Sequence, residues 1–222
     1  MNFTSLQRLS AELIGTAGIV AVVIGASHMA AALGAEPAID LTMNALATAG
    51  ALFVLISLFS SVSGSHFNPV VTFVLLLKDE IKASLAAGYI AAQVLGAILG
   101  AVLANLMFEK DAITFSAVER AGTGTHLGEV VASFGLVLII LLLSQQGKSN
   151  LIPAAVPLWI LAGYFFTSST SFANPAATIG RAFSDAGSSI AWQSVPMFIV
   201  TQVLGALIAL GVATLLKPQT ER

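Results

Sequence analysis

Residues 63–72 read Ser63-Gly64-Ser65-His66-Phe67-Asn68-Pro69-Val70-Val71-Thr72, and residues 172–176 read Phe172-Ala173-Asn174-Pro175-Ala176. In each stretch an Asn-Pro pair opens a short apolar segment, 68–77 in the first case and 174–184 in the second. Asn is a strong helix N-cap and Pro suits the first helical turn, so a helix is predicted to begin at each pair. Neither segment approaches the roughly 20 residues that a membrane crossing needs. We therefore predict two re-entrant half-helices, which must be buried in protein or line a watery cavity.

The rest of the chain has the composition of a membrane protein. Of its 222 residues, 57% are hydrophobic and 9% are charged, whereas a soluble domain carries about 25% charged residues. This excludes a soluble globular domain, and the high hydrophobicity excludes a disordered chain. Six apolar segments are near or above spanning length: 9–33, 41–59, 81–108, 126–143, 151–168 and 194–216. The predicted fold is an all-α membrane protein, a single domain over residues 1–222 with six transmembrane helices and two half-helices.

The two halves of the chain repeat each other. Three ordered pairs share similar separations of 117, 106 and 109 residues: Glu12 with Glu129, Asn68 with Asn174, and Gln93 with Gln202. The predicted repeats cover residues 9–108 and 126–216. Because each holds three spans, the two insert with opposite orientation, and the site is expected where they meet near the midplane. The half-helix N-termini, each with about half a positive charge, would face each other there, repel cations and donate to a neutral solute.

Lysine and arginine predict the orientation of the spans. Six crossings place both termini on one side of the membrane, and we assign six basic residues to that side: Arg8, Lys78, Lys82, Lys148, Lys217 and Arg222. Three are assigned to the other side: Lys110, Arg120 and Arg181. The excess predicts cytoplasmic termini.

These motifs resemble the aquaporin, or major intrinsic protein, family over essentially the whole chain. Residues 174–181 are most similar to a bacterial branch of aquaglyceroporins linked to arsenic handling. The resemblance implies a homotetramer in the lipid bilayer of a bacterial inner (plasma) membrane, with one passive pore per subunit for water or small neutral solutes. It implies a channel rather than an enzyme. It assigns the centre of the pore to two motifs: Asn68, Pro69 and Val70, and Asn174, Pro175 and Ala176. Val70 departs from the usual Ala of the first motif.

The same resemblance locates a selectivity filter. Counting from the motifs without gaps gives the filter positions Thr48, Ala162, Ser171 and Ala177. All four are small, and Ala177 stands where the family normally has Arg. We expect a wide mouth that passes glycerol-like polyols and neutral metalloids such as arsenite or methylated arsenicals. The alternative is a water-selective aquaporin. Arg181 either stabilises the outer loop, with Asp185 as one partner, or reaches the mouth in place of the missing Arg.

Other polar residues have two interpretations each. Glu12 and Glu129 are predicted to brace the half-helix loops by accepting from backbone N–H groups, the alternative being a proton relay in an ion-coupled secondary transporter. His66 is predicted to line the pore or brace its loop, the alternative being a pH gate. No two of the three histidines lie at metal-ligand spacing, so we predict no metal site and no cofactor. The net charge of −2 argues against a nucleic-acid partner.

Overall fold

A computed structural model of the chain describes residues 3–217 and places eight α-helices in that range. They are Ser5–Ala32 (α1), Pro37–Phe59 (α2), Pro69–Leu77 (α3), Ala83–Met107 (α4), Thr123–Gln145 (α5), Ile152–Phe166 (α6), Pro175–Arg181 (α7) and Val195–Leu215 (α8). Short 3₁₀ turns, Ser149–Leu151 and Trp192–Ser194, lead directly into α6 and α8. The ends of the predicted domain at residues 1 and 222, and the charge of Arg222, lie outside the described residues.

Within residues 3–217, six helical segments are long and apolar enough to cross a membrane. They are α1, α2, α4 and α5, together with α6 and α8 extended by their 3₁₀ turns. Their 18 to 28 residues correspond to about 27–42 Å at 1.5 Å per residue, against a hydrocarbon core of about 30 Å. The predicted spans agree with them to within a few residues, so the predicted six-span all-α fold is confirmed. We name the face that carries the first and last described residues the terminal face, and the opposite one the distal face.

The two half-helices are too short to cross. With nine residues in α3 and seven in α7, they cover about 14 Å and 10 Å. Asn68 caps α3 and Asn174 caps α7, as predicted. The predicted end of the second half-helix at residue 184 was wrong, because α7 ends at Arg181. There the chain turns away and pairs with the loop between α4 and α5, where Ser116 N donates to Ala182 O over 3.3 Å.

Small residues let the spanning helices of each half cross in direct contact. A Cβ atom at Gly96 in α4 would overlap the carbonyl oxygen of Leu13 in α1. A Cβ atom at Gly205 in α8 would overlap the carbonyl oxygen of Val130 in α5. Close approach of this kind is how small residues pack helices in membranes. The same contact therefore occurs once in each half of the inverted repeat.

Candidate functional site

The two half-helices meet end to end through their capping asparagines. Asn68 Oδ1 accepts from Val70 N at 3.0 Å, and Asn68 Nδ2 donates to Ala173 O at 2.7 Å in the other half. Asn174 repeats the arrangement, because its Oδ1 caps α7 and its Nδ2 donates to Phe67 O at 2.8 Å. A side-chain amide has two N–H hydrogens, and these bonds use one in each asparagine. Both asparagines line a cavity, so each has a second N–H for a molecule inside it.

Glu12 holds the first half-helix loop in place. Its carboxyl oxygens accept from the backbone N–H groups of His66 at 3.0 Å and Phe67 at 2.6 Å. They also accept from Ser63 Oγ at 2.6 Å and Gln93 Nε2 at 2.8 Å. The side chain is fully buried and does not line the cavity. Four donors from the protein therefore occupy this carboxyl group.

Glu129 does the same for the second loop. Its oxygens accept from the backbone N–H groups of Phe172 at 2.8 Å and Ala173 at 2.9 Å, and from Gln202 Nε2 at 2.6 Å. It too is fully buried and lies outside the cavity lining. The paired contacts have the geometry expected of braces, and neither carboxyl group faces the space where a solute would move.

His66 lies in the cavity wall on the terminal side of the asparagines. Its Nδ1 is 3.0 Å from Thr72 Oγ1 of α3, and its ring meets Tyr89 edge-on with centroids 5.0 Å apart. The second half has Phe172 against Phe198 at 5.1 Å in the equivalent place. His66 thus combines both parts of the predicted role, since it lines the cavity and anchors its loop to α3.

The cavity has a volume of about 230 Å³ and reaches from one face toward the other. Glu80, Ser144 and Ile152 line it at the terminal face, and Val23 and Arg181 line it toward the distal face. Between these ends its wall is largely aliphatic: Ile19, Leu52, Ile56, Val71, Leu75, Leu136, Ile140, Val156 and Ile160. Such a wall offers few hydrogen bonds, so a solute must take them from the few polar groups that line it.

Three of the four predicted filter residues line the distal part of the cavity: Thr48, Ser171 and Ala177. The prediction for Ala162 was wrong, because its side chain is exposed on the outer face of α6. The residue that packs against Ser171 is Gly163, where a Cβ atom would overlap the Ser171 side chain. The ungapped count is therefore off by one residue, and one residue turns a helical side chain by about 100°.

Tyr164 is a lining residue that the motif count missed. Its hydroxyl donates to Asn44 Oδ1 at 3.0 Å and lies 3.1 Å from Thr48 Oγ1. A buried asparagine and a tyrosine in two apolar spans are the kind of polar groups that mark functional positions in membrane helices. That signal was present in the sequence, but only the fold pairs the two residues. The mouth is consequently less open than four small residues would make it.

Arg181 combines the two roles between which the sequence could not choose. It is buried and lines the cavity, and its Nε donates to Ser188 O at 2.6 Å, with Nη2 donating to the same oxygen. Its guanidinium carbon lies 3.3 Å from the centroid of the Phe172 ring. Asp185, an expected partner, is exposed, and the guanidinium bonds to the loop backbone in its place. Arg181 therefore stabilises the outer loop and also places a positive charge at the distal mouth.

A second arginine, Arg120 in the loop between α4 and α5, also approaches the ring of Phe172. Arg120 Nε donates to Ser189 O at 2.8 Å, Nη2 donates to Gly187 O at 3.2 Å, and its guanidinium carbon is 4.9 Å from the Phe172 centroid. Burial lowers the pKa of this guanidinium, but arginine keeps its charge in proteins. Sequence reasoning placed Arg120 in a loop without a role. In the structure it adds a second positive charge near the distal mouth.

Comparison with known proteins gives consistent results. The model of the major intrinsic protein family matches residues 1–171. Aquaglyceroporin AqpS of Rhizobium meliloti is 41% identical over 210 residues, which cover 95% of this chain and 90% of that protein. The probable aquaporin PIP2-1 of Oryza sativa is 31% identical, with 86% and 72% covered. The X-ray structure of the aquaglyceroporin from Plasmodium falciparum superimposes with a TM-score of 0.75 at 19% identity, covering 94% of this chain and 95% of that one, and shows the same fold.

Proposed function

This chain belongs to the major intrinsic protein family, whose members are channels and not enzymes, and from that premise we propose that it conducts small neutral solutes passively. The observation that carries the proposal is the meeting of Asn68 and Asn174. Each side chain caps its own half-helix, bonds to the opposite loop and retains one N–H on the cavity wall. Two half-helix N-termini at this point disfavour a cation and offer donors to a neutral oxygen-bearing solute.

An ion-coupled transporter is the competing function from another class. It needs a protonatable or ion-binding group beside its substrate. Glu12 and Glu129 are occupied by protein donors outside the cavity. Among the described residues that line the cavity, the one carboxylate is Glu80 at the terminal face, 2.5 Å from Lys78 Nζ. The one histidine among them, His66, has its Nδ1 3.0 Å from Thr72 Oγ1 of α3. This arrangement favours passive conduction.

For the solutes, we propose water and glycerol-like polyols, followed by neutral metalloids such as arsenite and methylated arsenicals. The small side chains of Thr48, Ser171 and Ala177 in the cavity wall support the passage of a solute larger than water. Trihydroxy arsenite presents hydroxyl groups much as glycerol does. The relative AqpS is named an aquaglyceroporin, which supports the polyol part. A water-selective channel remains the second candidate, because Tyr164 and Arg181 both enter the cavity wall.

The assembly that we propose is a homotetramer in a bacterial plasma membrane with cytoplasmic termini. Large apolar side chains are exposed on the outer faces of the spans, among them Leu46, Phe53, Leu95 and Leu99. In a membrane these faces meet lipid or a neighbouring subunit. The positive-inside count supports the orientation, and the bacterial relative AqpS supports the location.

The test is a permeability panel in proteoliposomes. Water, glycerol and arsenite fluxes are measured by stopped-flow light scattering or uptake, beside empty vesicles and with proton or sodium gradients imposed or collapsed. Passive conduction predicts glycerol and arsenite fluxes above empty vesicles, linear with concentration and indifferent to the gradients. Saturation at low concentration together with gradient dependence would support the transporter. Water flux alone above background would support the water-selective channel.

A further inference from the structure

Three aromatic side chains from three separate segments pack together at the distal face. Phe115 comes from the loop between α4 and α5, Phe183 follows α7, and Trp192 opens the 3₁₀ turn before α8. The Phe183 ring centroid lies 5.3 Å from that of Trp192 and 5.8 Å from that of Phe115. Phe115 is 62% exposed and Trp192 is 40% exposed. We call these three residues the distal aromatic cluster, and none of them is among the described residues that line the cavity.

The loop that carries Phe115 turns its apolar side chains outward. Thr114 N and Ser116 N each donate over 3.3 Å to successive carbonyl groups of the chain that follows α7. Because alternate side chains of an extended segment point to opposite sides, Ser116 is buried, whereas Ile113 and Phe115 are exposed. Exposed apolar patches mark sites of contact with a protein or a membrane. The outward pattern therefore indicates that this side of the loop has an apolar neighbour.

The position of Trp192 sets the depth of the cluster in the membrane. Trp192 is the first residue of the sixth apolar segment, Trp192–Leu215, which has 24 residues. At 1.5 Å per residue this segment covers about 36 Å, whereas the hydrocarbon core is about 30 Å thick. When the segment is centred, Trp192 lies about 3 Å outside the hydrocarbon, at the level where Trp is enriched in membrane proteins.

The two tryptophans of the chain differ in their indole N–H groups. Trp159 Nε1 donates to Ala132 O at 2.9 Å inside the helix bundle. Trp192 packs against the rings of Phe115 and Phe183, and its Nε1 has no hydrogen-bond acceptor among residues 3–217. Indole nitrogen donates and does not accept. An oxygen atom in the surroundings is what can pair with it, and the ester and phosphate groups of a phospholipid supply such oxygens at this depth.

The exposed area of the cluster is small for a protein partner. An aromatic side chain buries about 150–250 Å² when it is fully covered. The exposed fractions of Phe115 and Trp192 together amount to about one such side chain. Each partner of a standard protein interface buries about 800 Å². Lipid contact needs no such area, because the spans beside the cluster already lie in the bilayer.

We propose that the distal aromatic cluster is a docking surface for glycerophospholipid, at the boundary between headgroups and acyl chains of the leaflet on the distal face. Ile113 and Phe115 contact the upper part of the acyl chains, and Trp192 Nε1 donates to an ester or phosphate oxygen. Phe183 packs against the buried cluster that α1, α4 and α7 share. Lipid contact therefore holds the loop between α4 and α5 against the bundle. This surface is independent of the solute that the pore conducts.

Fluorescence of the two tryptophans tests the depth of the cluster. Trp159→Phe leaves Trp192 as the one tryptophan, and Trp192→Phe leaves Trp159, near the middle of α6, as the matched reference. Each protein is reconstituted in phosphatidylcholine brominated at carbons six and seven or at carbons eleven and twelve, and iodide is added on both sides of the membrane. Trp192 should lose about twice as much emission to the shallow bromines as to the deep ones, and little to iodide, because interfacial rings lie at the shallow depth. Trp159 should show the reverse order of the two lipids.

Phe115→Ser tests whether the cluster acts as one surface. Loss of the exposed ring should lower the quenching of Trp192 by the shallow bromines and raise its quenching by iodide. Leu33→Ser is the matched control, because Leu33 is 67% exposed at the distal end of α1 and lies outside the cluster. It should leave both kinds of quenching at the level of Trp159→Phe alone.

Three results would overturn the proposal. Quenching of Trp192 by iodide as strong as that by the shallow bromines would show that the cluster faces water. Quenching by neither would show that protein, such as a second subunit, covers it. Stronger quenching by the deep bromines would place the ring within the hydrocarbon. Where Trp159→Phe fails to fold, the difference between the parent protein and Trp192→Phe supplies the Trp192 signal, so the same three results still decide.

Discussion

The guanidinium carbon of Arg181 lies 3.3 Å from the centroid of the Phe172 ring. Phe172 is held by Glu129 through its backbone N–H, and Arg181 closes the last turn of α7. The contact therefore joins the brace of the second half-helix loop to the end of that half-helix. Guanidinium groups bind aromatic faces favourably, and more strongly when desolvated. The positive charge near the distal mouth is thus positioned by an aromatic ring and a backbone carbonyl, four residues after Ala177.

Replacing Arg181 tests whether that charge excludes ions. Arg181→Ala should raise cation leak in planar bilayers, because it removes a positive charge from the distal mouth. Glycerol flux should persist, because the half-helix termini remain. It should also destabilise the outer loop by about 1–3 kcal/mol through the lost bonds to Ser188 O. Arg181→Lys is the matched control, since it keeps the charge and loses the two-donor geometry. Cation leak equal to the parent in Arg181→Ala would show that the charge has no part in exclusion.

Phenylalanine at two alanine positions tests the revised register of the mouth. Ala177 lines the cavity, whereas Ala162 is exposed on the outer face of α6. Ala177→Phe should reduce glycerol flux at least tenfold and water flux less, because an added ring narrows the path. Ala162→Phe should leave both fluxes within about twofold, since apolar surface facing lipid costs little. Both fluxes are measured by stopped-flow on vesicles with matched protein amounts. Equal losses of flux in the two variants would contradict the assignment of Ala177 to the cavity wall and of Ala162 to the outer face of α6.

Gly163→Ala tests the contact that fixes the register. A Cβ atom there overlaps the Ser171 side chain, so the variant should lose about 1–3 kcal/mol of stability by overpacking. Gly211→Ala is the control, because a Cβ atom at that helical position has open space, and alanine favours a helix over glycine by about 1 kcal/mol. Adding Ser171→Gly should rescue Gly163→Ala, since it removes the overlap and suits the positive φ of +54° at residue 171. Thermal unfolding in detergent, read as a double-mutant cycle, gives the coupling.

Glu12→Gln separates a brace from a proton relay. The amide replaces one accepting oxygen with a donor that faces the loop N–H groups of His66 and Phe67. Bonds to a charged acceptor contribute about 1.5–3 kcal/mol each, so the thermal midpoint should fall sharply, and Glu129→Gln should behave alike. The correctly folded fraction should conduct glycerol with unchanged dependence on pH. A variant of parent stability that loses a pH-dependent flux would indicate a relay.

Much of the architecture follows from local patterns in the sequence. The Asn-Pro pairs specify helix starts through capping and the fixed φ of proline. Chain segments longer than about 18 apolar residues specify crossings, because backbone groups in lipid must be satisfied internally. The pairs Glu12 with Glu129 and Gln93 with Gln202 predicted the repeat, and the structure gives both pairs the same contacts. These features need only short-range chemistry and length, so a single sequence suffices for them.

Tertiary structure decided which side chains meet at the distal mouth. Ala162 was misplaced because the loop between α6 and α7 sets the helix register, and one residue of difference turns a side chain from cavity to lipid. Tyr164 enters the wall because α6 packs against α2, where its hydroxyl meets Asn44 and Thr48. Arg181 reaches the mouth because a long side chain can bridge a helical turn once Phe172 and Ser188 O hold it. Arg120 arrives from a loop more than 60 residues distant from its partners. Loop paths and long side chains depend on contacts across the whole fold, which local sequence patterns do not encode.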